Sequence, residues 1–259
     1  MSNSSVLDQI IEGVLEDIKA REKPISELVA KLSEAPKLRD ATAALSKTGT
    51  RLIAEVKRSS PSKGVLAEIT NPSELAIQYQ DGGADVISVL TEQRRFNGSI
   101  PDLIAVRNSV SIPVLRKDFI VTEFQVYESR LIGADLILLI VAGLSQSQLT
   151  DYYQLATELG MAVLVEVHDE IEAAKAVELK AKIIGVNSRN LKTLGVSSEN
   201  FEKIFPHLPS NVIKVAESGI STRAQVAEVE NLGANAILVG ETLVKSANPA
   251  SKIKELLNR

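Results

Sequence analysis

Hydrophobic positions in this chain follow two rhythms. Residues 6–20 place Val6, Leu7, Ile10, Ile11, Val14, Leu15 and Ile18 at helical spacing with acids on the other side, which predicts an amphipathic helix after a Ser-rich start. A second, shorter helix is predicted to begin at Ser26 after Pro24 and to close at Pro36. From Arg51 onward, short β-rich runs alternate with longer helical patterns. Strands are expected near 52–57, 86–91, 113–118, 136–141, 162–167, 183–188, 212–217 and 236–240. Their spacing, roughly two to three dozen residues, is that of a strand plus a crossover helix, so βαβ units and a parallel sheet follow.

An internal repeat supports this reading. Gly83-Ala84-Asp85-Val86-Ile87, Gly133-Ala134-Asp135-Leu136-Ile137 and Gly233-Ala234-Asn235-Ala236-Ile237 share a pattern in which a helix-ending Gly leads into a strand. Eight such units predict an α/β chain folded as a (β/α)8 TIM barrel with an N-terminal helical extension. Residues 1–259 are read as one barrel domain, with 1–50 as the extension. A doubly wound open sheet is the alternative, but no G-x-G-x-x-G follows any strand and no P-loop is present. The two N-terminal helices are expected to pack on the barrel or on a partner; their mixed-charge polar face makes a membrane surface the lesser expectation.

Composition narrows the function classes. With 44% apolar residues, 259 residues can bury a sizeable core. Lys+Arg 29 against Asp+Glu 33 gives a net charge of -4, which implies no nucleic-acid or membrane-surface partner. Zero cysteines exclude disulfides, thiolate nucleophiles and Cys-ligated metal, and suit a reducing compartment. His168 and His207 form no ligand spacing; no metal is expected, and each is read as an ordinary loop or surface residue. Met1 to Ser5 lack a basic stretch and acids follow, against a signal peptide. The longest apolar run, Leu136 to Ala142, falls well short of the ~18 residues of a membrane span, so a soluble, cytoplasmic protein is expected.

Barrels of this kind carry their chemistry where the strands end. Strand one ends in Glu55 and Lys57, two apart and therefore on one face. Buried there, the two charges carry a desolvation cost that packing alone does not explain; a structural ion pair is the plain alternative. Strand three ends in Arg116, Lys117 and Asp118, strand five in Glu166, strand six in Asn187 and Arg189, and strand seven in Glu217 and Ser218. Strands two, four and eight end more blandly. Lysines among carboxylates in a partly buried mouth suit general acid–base work. Ser218-Gly219-Ile220-Ser221 and Gly240-Glu241-Thr242 are small-residue turns opening helices after strands seven and eight, the usual phosphate site of such barrels. Phe96, beside Asn97-Gly98, is either a wall for an aromatic substrate or a ring tucked under its own loop.

Six motifs resemble indole-3-glycerol phosphate synthase. They are Glu-Val-Lys-Arg-Ser-Ser-Pro-Ser-Lys-Gly at 55–64, Phe-Asn-Gly-Ser at 96–99, Leu-Arg-Lys-Asp-Phe-Ile at 115–120, Leu-Val-Glu-Val-His at 164–168, Gly-Val-Asn-Ser-Arg-Asn-Leu at 185–191 and Ala-Glu-Ser-Gly-Ile at 216–220. The resemblance implies a cofactor-free step of tryptophan biosynthesis. In it, 1-(2-carboxyphenylamino)-1-deoxyribulose 5-phosphate closes onto its own carbonyl and loses CO2 and water. It further implies that Lys117 is the general acid of ring closure and that Glu166 stabilises the developing cationic amine. Glu55 and Lys57 would serve dehydration, Asn187 would orient the intermediate, and Glu217 and Ser218 would complete the site. Ser60 and Arg189 would hold the anionic substrate and Phe96 would line the anthranilate pocket. Gly219, Leu238, Gly240 and Glu241 would finish the substrate-binding set, with Glu241 standing where some members carry Ser, so that a backbone contact to phosphate is expected there. A monomer or weak homodimer is expected, and association with other tryptophan-pathway enzymes is left open. Which lysine serves which step does not follow from sequence.

Three other readings of the same residues stand beside this one. One is a phosphosugar isomerase, though related isomerases use a Cys base that this chain lacks. A second is a Schiff-base aldolase acting through Lys57, Lys117 or Lys214. The third is a non-catalytic phosphate-binding barrel.

Overall fold

A computed structural model describes residues 5–189 and 195–259. Its eight long strands, β1 (Arg51–Val56), β2 (Val86–Leu90), β3 (Val114–Lys117), β4 (Leu136–Ile140), β5 (Ala162–Val167), β6 (Ile183–Asn187), β7 (Ile213–Glu217) and β8 (Ala236–Val239), close into a parallel barrel. Each strand pairs with its sequence neighbours, and β8 closes on β1. All eight coincide with the expected runs to within a residue or two.

The repeated Gly-Ala-Asp has a structural reason. Gly83, Gly133 and Gly233 hold φ of 101°, 87° and 93°, the left-handed conformation that ends a helix at little cost for a residue without Cβ. The acid or amide two residues later accepts an amide of the neighbouring strand: Asp85 from Leu52 at 3.1 Å, Asp135 from Val114 at 2.8 Å and Asn235 from Lys214 at 2.8 Å. A fourth copy, Lys180-Ala181-Lys182 before β6, keeps the positive φ of 60° with Lys where the others have Gly. Its side chain at 182 is basic and cannot accept, which hid the copy from a search for the motif.

Alternation sorts the strands into two layers. Ile53, Leu115, Leu136, Leu138, Leu164, Ile183, Val215 and Leu238 belong to the inner cluster. Leu52, Ala54, Val89, Ile137, Val165, Val186 and Val239 belong to the outer one, against the helices. The N-terminal extension contributes to the inner cluster from three helices. The helix α1 (Val6–Lys19) carries the capping box of Ser5 and Asp8, and α2 (Ile25–Lys31) is followed by a short 3-10 turn before Pro36. A third, α3 (Ala41–Leu45), capped by Asp40, was not expected; five residues is too short for a readable period. Among the described residues no helix is long and apolar enough to cross a membrane.

Asp135 joins extension to barrel. Its carboxylate also accepts the Arg39 amide at 2.8 Å and pairs with the buried Arg107 at 3.4 Å. Asp135→Ala removes one acceptor from two amides and an arginine, and is expected to lower the urea unfolding free energy by about 3 kcal/mol or more. A loss below about 1 kcal/mol would show that water replaces the carboxylate there.

Candidate active site

On six of the eight strands the inner face reads as an apolar column that ends in a polar residue or, on β8, a glycine, whereas the columns of β2 and β4 end in Leu90 and Ile140. On β1 the column is Ile53, Glu55, Lys57; on β3 it is Leu115, Lys117; on β5, Leu164, Glu166, His168. It continues as Ile183, Gly185, Asn187 on β6, then Ile213, Val215, Glu217 on β7, then Ala236, Leu238, Gly240 on β8. Period two does this without special geometry, because the inward positions of a closed barrel converge on its axis.

The polar ends form two contact groups, and the charge of Glu55 in the first acts through space on Lys117 in the second. Lys57 Nζ lies 3.2 Å from Glu55 Oε1, and Ser88 on β2 donates to Glu55 Oε2 at 3.4 Å. Lys117 Nζ lies 3.1 Å from Glu166 Oε2 and 3.5 Å from Glu217 Oε2. Burial works against the Lys117 charge, but Glu166, Glu217 and Glu55 outweigh it and hold its pKa above that of a free lysine. Burial likewise opposes ionisation of Glu166, yet Lys117 and His168 overcome it and keep that carboxyl below the usual range. Glu217 goes the other way. Burial, together with the repulsion of Glu166 and Glu55, exceeds the pull of Lys117 and raises it to about 8. One ammonium therefore stands between an ionised carboxylate and a neutral carboxylic acid, an arrangement able to give and to take protons at neutral pH.

Two glycines make room for these carboxyls. A Cβ at Gly185 would lie 2.0 Å from Glu217 Oε1, and one at Gly240 would lie 2.6 Å from Glu55 Oε1. The sequence marked Gly240 as part of a turn and of the substrate-binding set, and Gly185 as the start of a motif, without assigning either the task of making room for a carboxyl. An isolated Gly inside a strand was the available signal.

All the proposed site residues border one continuous depression of two clefts. The first is lined by Glu55, Lys57, Ser60, Lys117, Glu166, Asn187, Arg189, Glu217, Ser218 and Leu238, with Phe96 and Phe119 as its aromatic wall. The rings of Phe96 and Phe119 are 6.0 Å apart, and Lys57 Nζ sits 5.6 Å from the Phe96 centroid. Phe96 is thus a wall of the cleft rather than a ring under its loop. Glu92, at the end of a strand expected to be bland, fixes that loop by accepting the amides of Arg94, Arg95 and Phe96.

The adjoining cleft adds Lys63, Gly219, Gly240, Glu241 and Lys245. Ser218 and Gly219 hold φ of 69° and 77°, turning the chain sharply after β7, and the helix Arg223–Asn231 then starts from its Thr222 cap. The helix Glu241–Val244 starts directly after Gly240. Glu241 bonds Lys63 at 2.8 Å and Lys245 at 2.7 Å, so its side chain holds two ammonium groups at this mouth. Arg189 donates to Ser62 at 3.0 Å, tying the loop after β6 to the loop after β1. Asn190 and Leu191 of the motif at 185–191 lie outside the described residues.

Val6, Leu7 and Ile10 of α1 line the first cleft, and Arg94 pairs with Glu16 and Asp17 of that helix. Helix α1 is therefore a cover over the barrel mouth, whereas residues 38–42 lie at the opposite end, beside the starts of β5 and β6.

Three expectations need correction. His168 is not an ordinary loop or surface residue: its ring is packed between Glu166 and Glu172. Its position two after Glu166, on the same face, was the readable signal. Arg116 does not converge on the mouth with Lys117. Adjacent strand positions face opposite ways, and its fully buried guanidinium pairs with Asp118 at 3.0 Å and Glu128 at 2.9 Å in the outer layer. Lys214 also points outward, donating to the Phe205 carbonyl at 2.8 Å.

The chain matches the family model described as "Indole-3-glycerol phosphate synthase" over residues 7–256. A protein of that name from Mycobacterium sp. (strain KMS) is 54% identical over 259 residues, 99% of this chain and 95% of the relative. One from Mycolicibacterium smegmatis is 55% identical with the same coverage. Among solved structures, thiamine phosphate pyrophosphorylase from Pyrococcus furiosus superposes with a TM-score of 0.61 at 17% identity, covering 84% of this chain and 96% of its own, a likeness of fold alone.

Gly185→Ala should drive the Glu217 carboxyl from its place and cost about 1–3 kcal/mol in urea unfolding, the scale of overpacking; parental stability would mean that the carboxyl has somewhere else to go. Stability should also depend on pH. His168 is raised from 6.5 to about 10, against burial, by Glu166 and Glu172, so the folded chain keeps a proton that the unfolded chain releases. Its contribution is complete below pH 6.5 and is lost as the pH rises through about 10. Glu217 adds a fall of the same sign between 4.5 and about 8. Urea unfolding across that range should therefore show stability declining with pH, and a flat profile would contradict both shifts.

Proposed function

The chain belongs to the indole-3-glycerol phosphate synthase family, carboxy-lyases of tryptophan biosynthesis, and from that premise we propose how its own residues divide the reaction. The substrate is 1-(2-carboxyphenylamino)-1-deoxyribulose 5-phosphate. Its carboxyl-bearing ring carbon attacks the ribulose carbonyl carbon, and Lys117 gives a proton to the carbonyl oxygen as that bond forms. The support is the Lys117 ammonium, held protonated by Glu166 and Glu217 at the end of β3. The Glu166 carboxylate stands against the positive charge that grows on the amine nitrogen. CO2 then leaves with its bonding electrons returned to the ring.

Dehydration needs an acid for the departing hydroxyl and a base for the adjacent C–H proton. Lys57 and Glu55, 3.2 Å apart, suit those two parts. Asn187 orients the intermediate, and Glu217 and Ser218 complete the wall. Phe96 and Phe119 suit the anthranilate ring. Ser60, Arg189, Gly219, Leu238, Gly240 and Glu241 line the glycerol phosphate end, where Glu241 acts through its backbone and through the lysines it holds.

The aldolase reading is weaker at Lys117, because an amine nucleophile needs a lowered pKa and Lys117 is raised. The same proposal treats extension and barrel as one domain, on the strength of the Asp135, Arg94 and α1 contacts. A biosynthetic step on a small phosphorylated metabolite fits a cytoplasmic enzyme, monomeric or weakly dimeric.

Lys117→Met should lower kcat by about 100-fold or more, the scale of a lost general acid, with the fold retained. Fluorescence of the indole product measures it. Turnover near that of the parent would remove Lys117 from the acid role.

A further inference from the structure

His168 follows β5 directly and touches Glu166 from the side opposite Lys117. Its Nε2 lies 3.2 Å from Glu166 Oε1, while Lys117 Nζ holds Oε2 at 3.1 Å. The other ring nitrogen, Nδ1, lies 3.0 Å from Glu172 Oε2. That oxygen also accepts the His168 amide at 2.8 Å, and the His168 carbonyl accepts from Asn200 at 3.3 Å. Main chain and ring are thus both fixed, by residues from the helices Glu170–Glu178 and Glu199–Ile204.

Both imidazole nitrogens face carboxylates, Nδ1 in a hydrogen bond with Glu172 and Nε2 at ion-pair distance from Glu166 without one. A neutral ring would set a lone pair against one of them, so this packing calls for a proton on each nitrogen. The charged groups that face the ring are Glu166 from β5 and Glu172 from the following helix; Lys117 and Glu217 stand beyond Glu166. Lys117 is shared between two carboxyls, so a second cation on Glu166 determines which of the two stays ionised.

We propose that His168 is a positioning residue for this reaction: as an imidazolium clamped by Glu172, it orients the Glu166 carboxylate and keeps it ionised beside Lys117. The inference rests on the role given above to Glu166. Without the imidazolium, Glu166 has one shared cation instead of two and takes up a proton at higher pH. The raised pKa of His168 agrees with the geometry.

The test is the pH dependence of kcat/KM in the full chain carrying His168→Gln or Glu172→Gln, followed by product fluorescence. In His168→Gln the acid limb should move up by about one pH unit or more, the scale on which a neighbouring cation acts, and kcat should fall about tenfold with KM little changed. In Glu172→Gln the imidazolium loses one of its two anions, so the basic limb should move down. A folded His168→Gln protein with the parental profile overturns the proposal. Should that variant not fold, an unmoved basic limb in Glu172→Gln does so instead. Glu166→Gln run alongside separates the two ideas: parental turnover there overturns the role of Glu166 itself, whereas an inactive Glu166→Gln beside an unperturbed His168→Gln overturns only the positioning role.

Discussion

The Lys117 ammonium is shared between the buried carboxyls of Glu166 and Glu217, and much of the surrounding structure follows from that sharing. A single positive charge cannot hold two carboxylates ionised where water is scarce. The pair is driven apart, Glu166 to the charged form and Glu217 to the neutral one. The result is an acid and a base a few ångströms apart, built from the same chemical group. The difference between them lies in their other neighbours: His168 for Glu166, and the bare backbone of Gly185 for Glu217.

Around this centre the barrel supplies rigidity and the loops supply enclosure. The inner columns bring the charges together because each strand is fixed in register by its neighbours, and the Asp or Asn of the internal repeat locks three of those registers through a strand amide. On the outer side, Arg116 links the strand that carries Lys117 to the following helix through Glu128, which also pairs with Arg21 of the extension. The cover formed by α1 is thus tied both to the loop after β2 and to the scaffold behind Lys117. Excluding water from the mouth strengthens every ion pair inside it.

Much of the fold was legible before any coordinates, and for a simple reason. Buried parallel strands are short apolar runs, and the eight of them were spaced by helices of similar length. Glu55, Lys57, Lys117, Glu166, Asn187 and Glu217 were legible too, as polar residues ending apolar runs. His168, Gly185 and Glu92 were not. A histidine after a strand, a glycine within one and an acid in a loop are each common in ordinary structure, and what distinguishes them here is a partner far away in the chain. Arg116 shows the reverse error, since a charge at a strand end was counted toward the mouth without asking which way its position faced.

The sequence by itself determined the succession of strands and helices, the amphipathic extension and the polar character of the strand ends, because periodicity and turn chemistry are local properties of the chain. Only the tertiary structure decided that α1 covers the barrel mouth, that Lys117 lies between two carboxyls, that one of them keeps its proton, and that His168 backs the other. Ionisation depends on burial and on charges brought close from distant strands, and distances of that kind exist only once the barrel has closed.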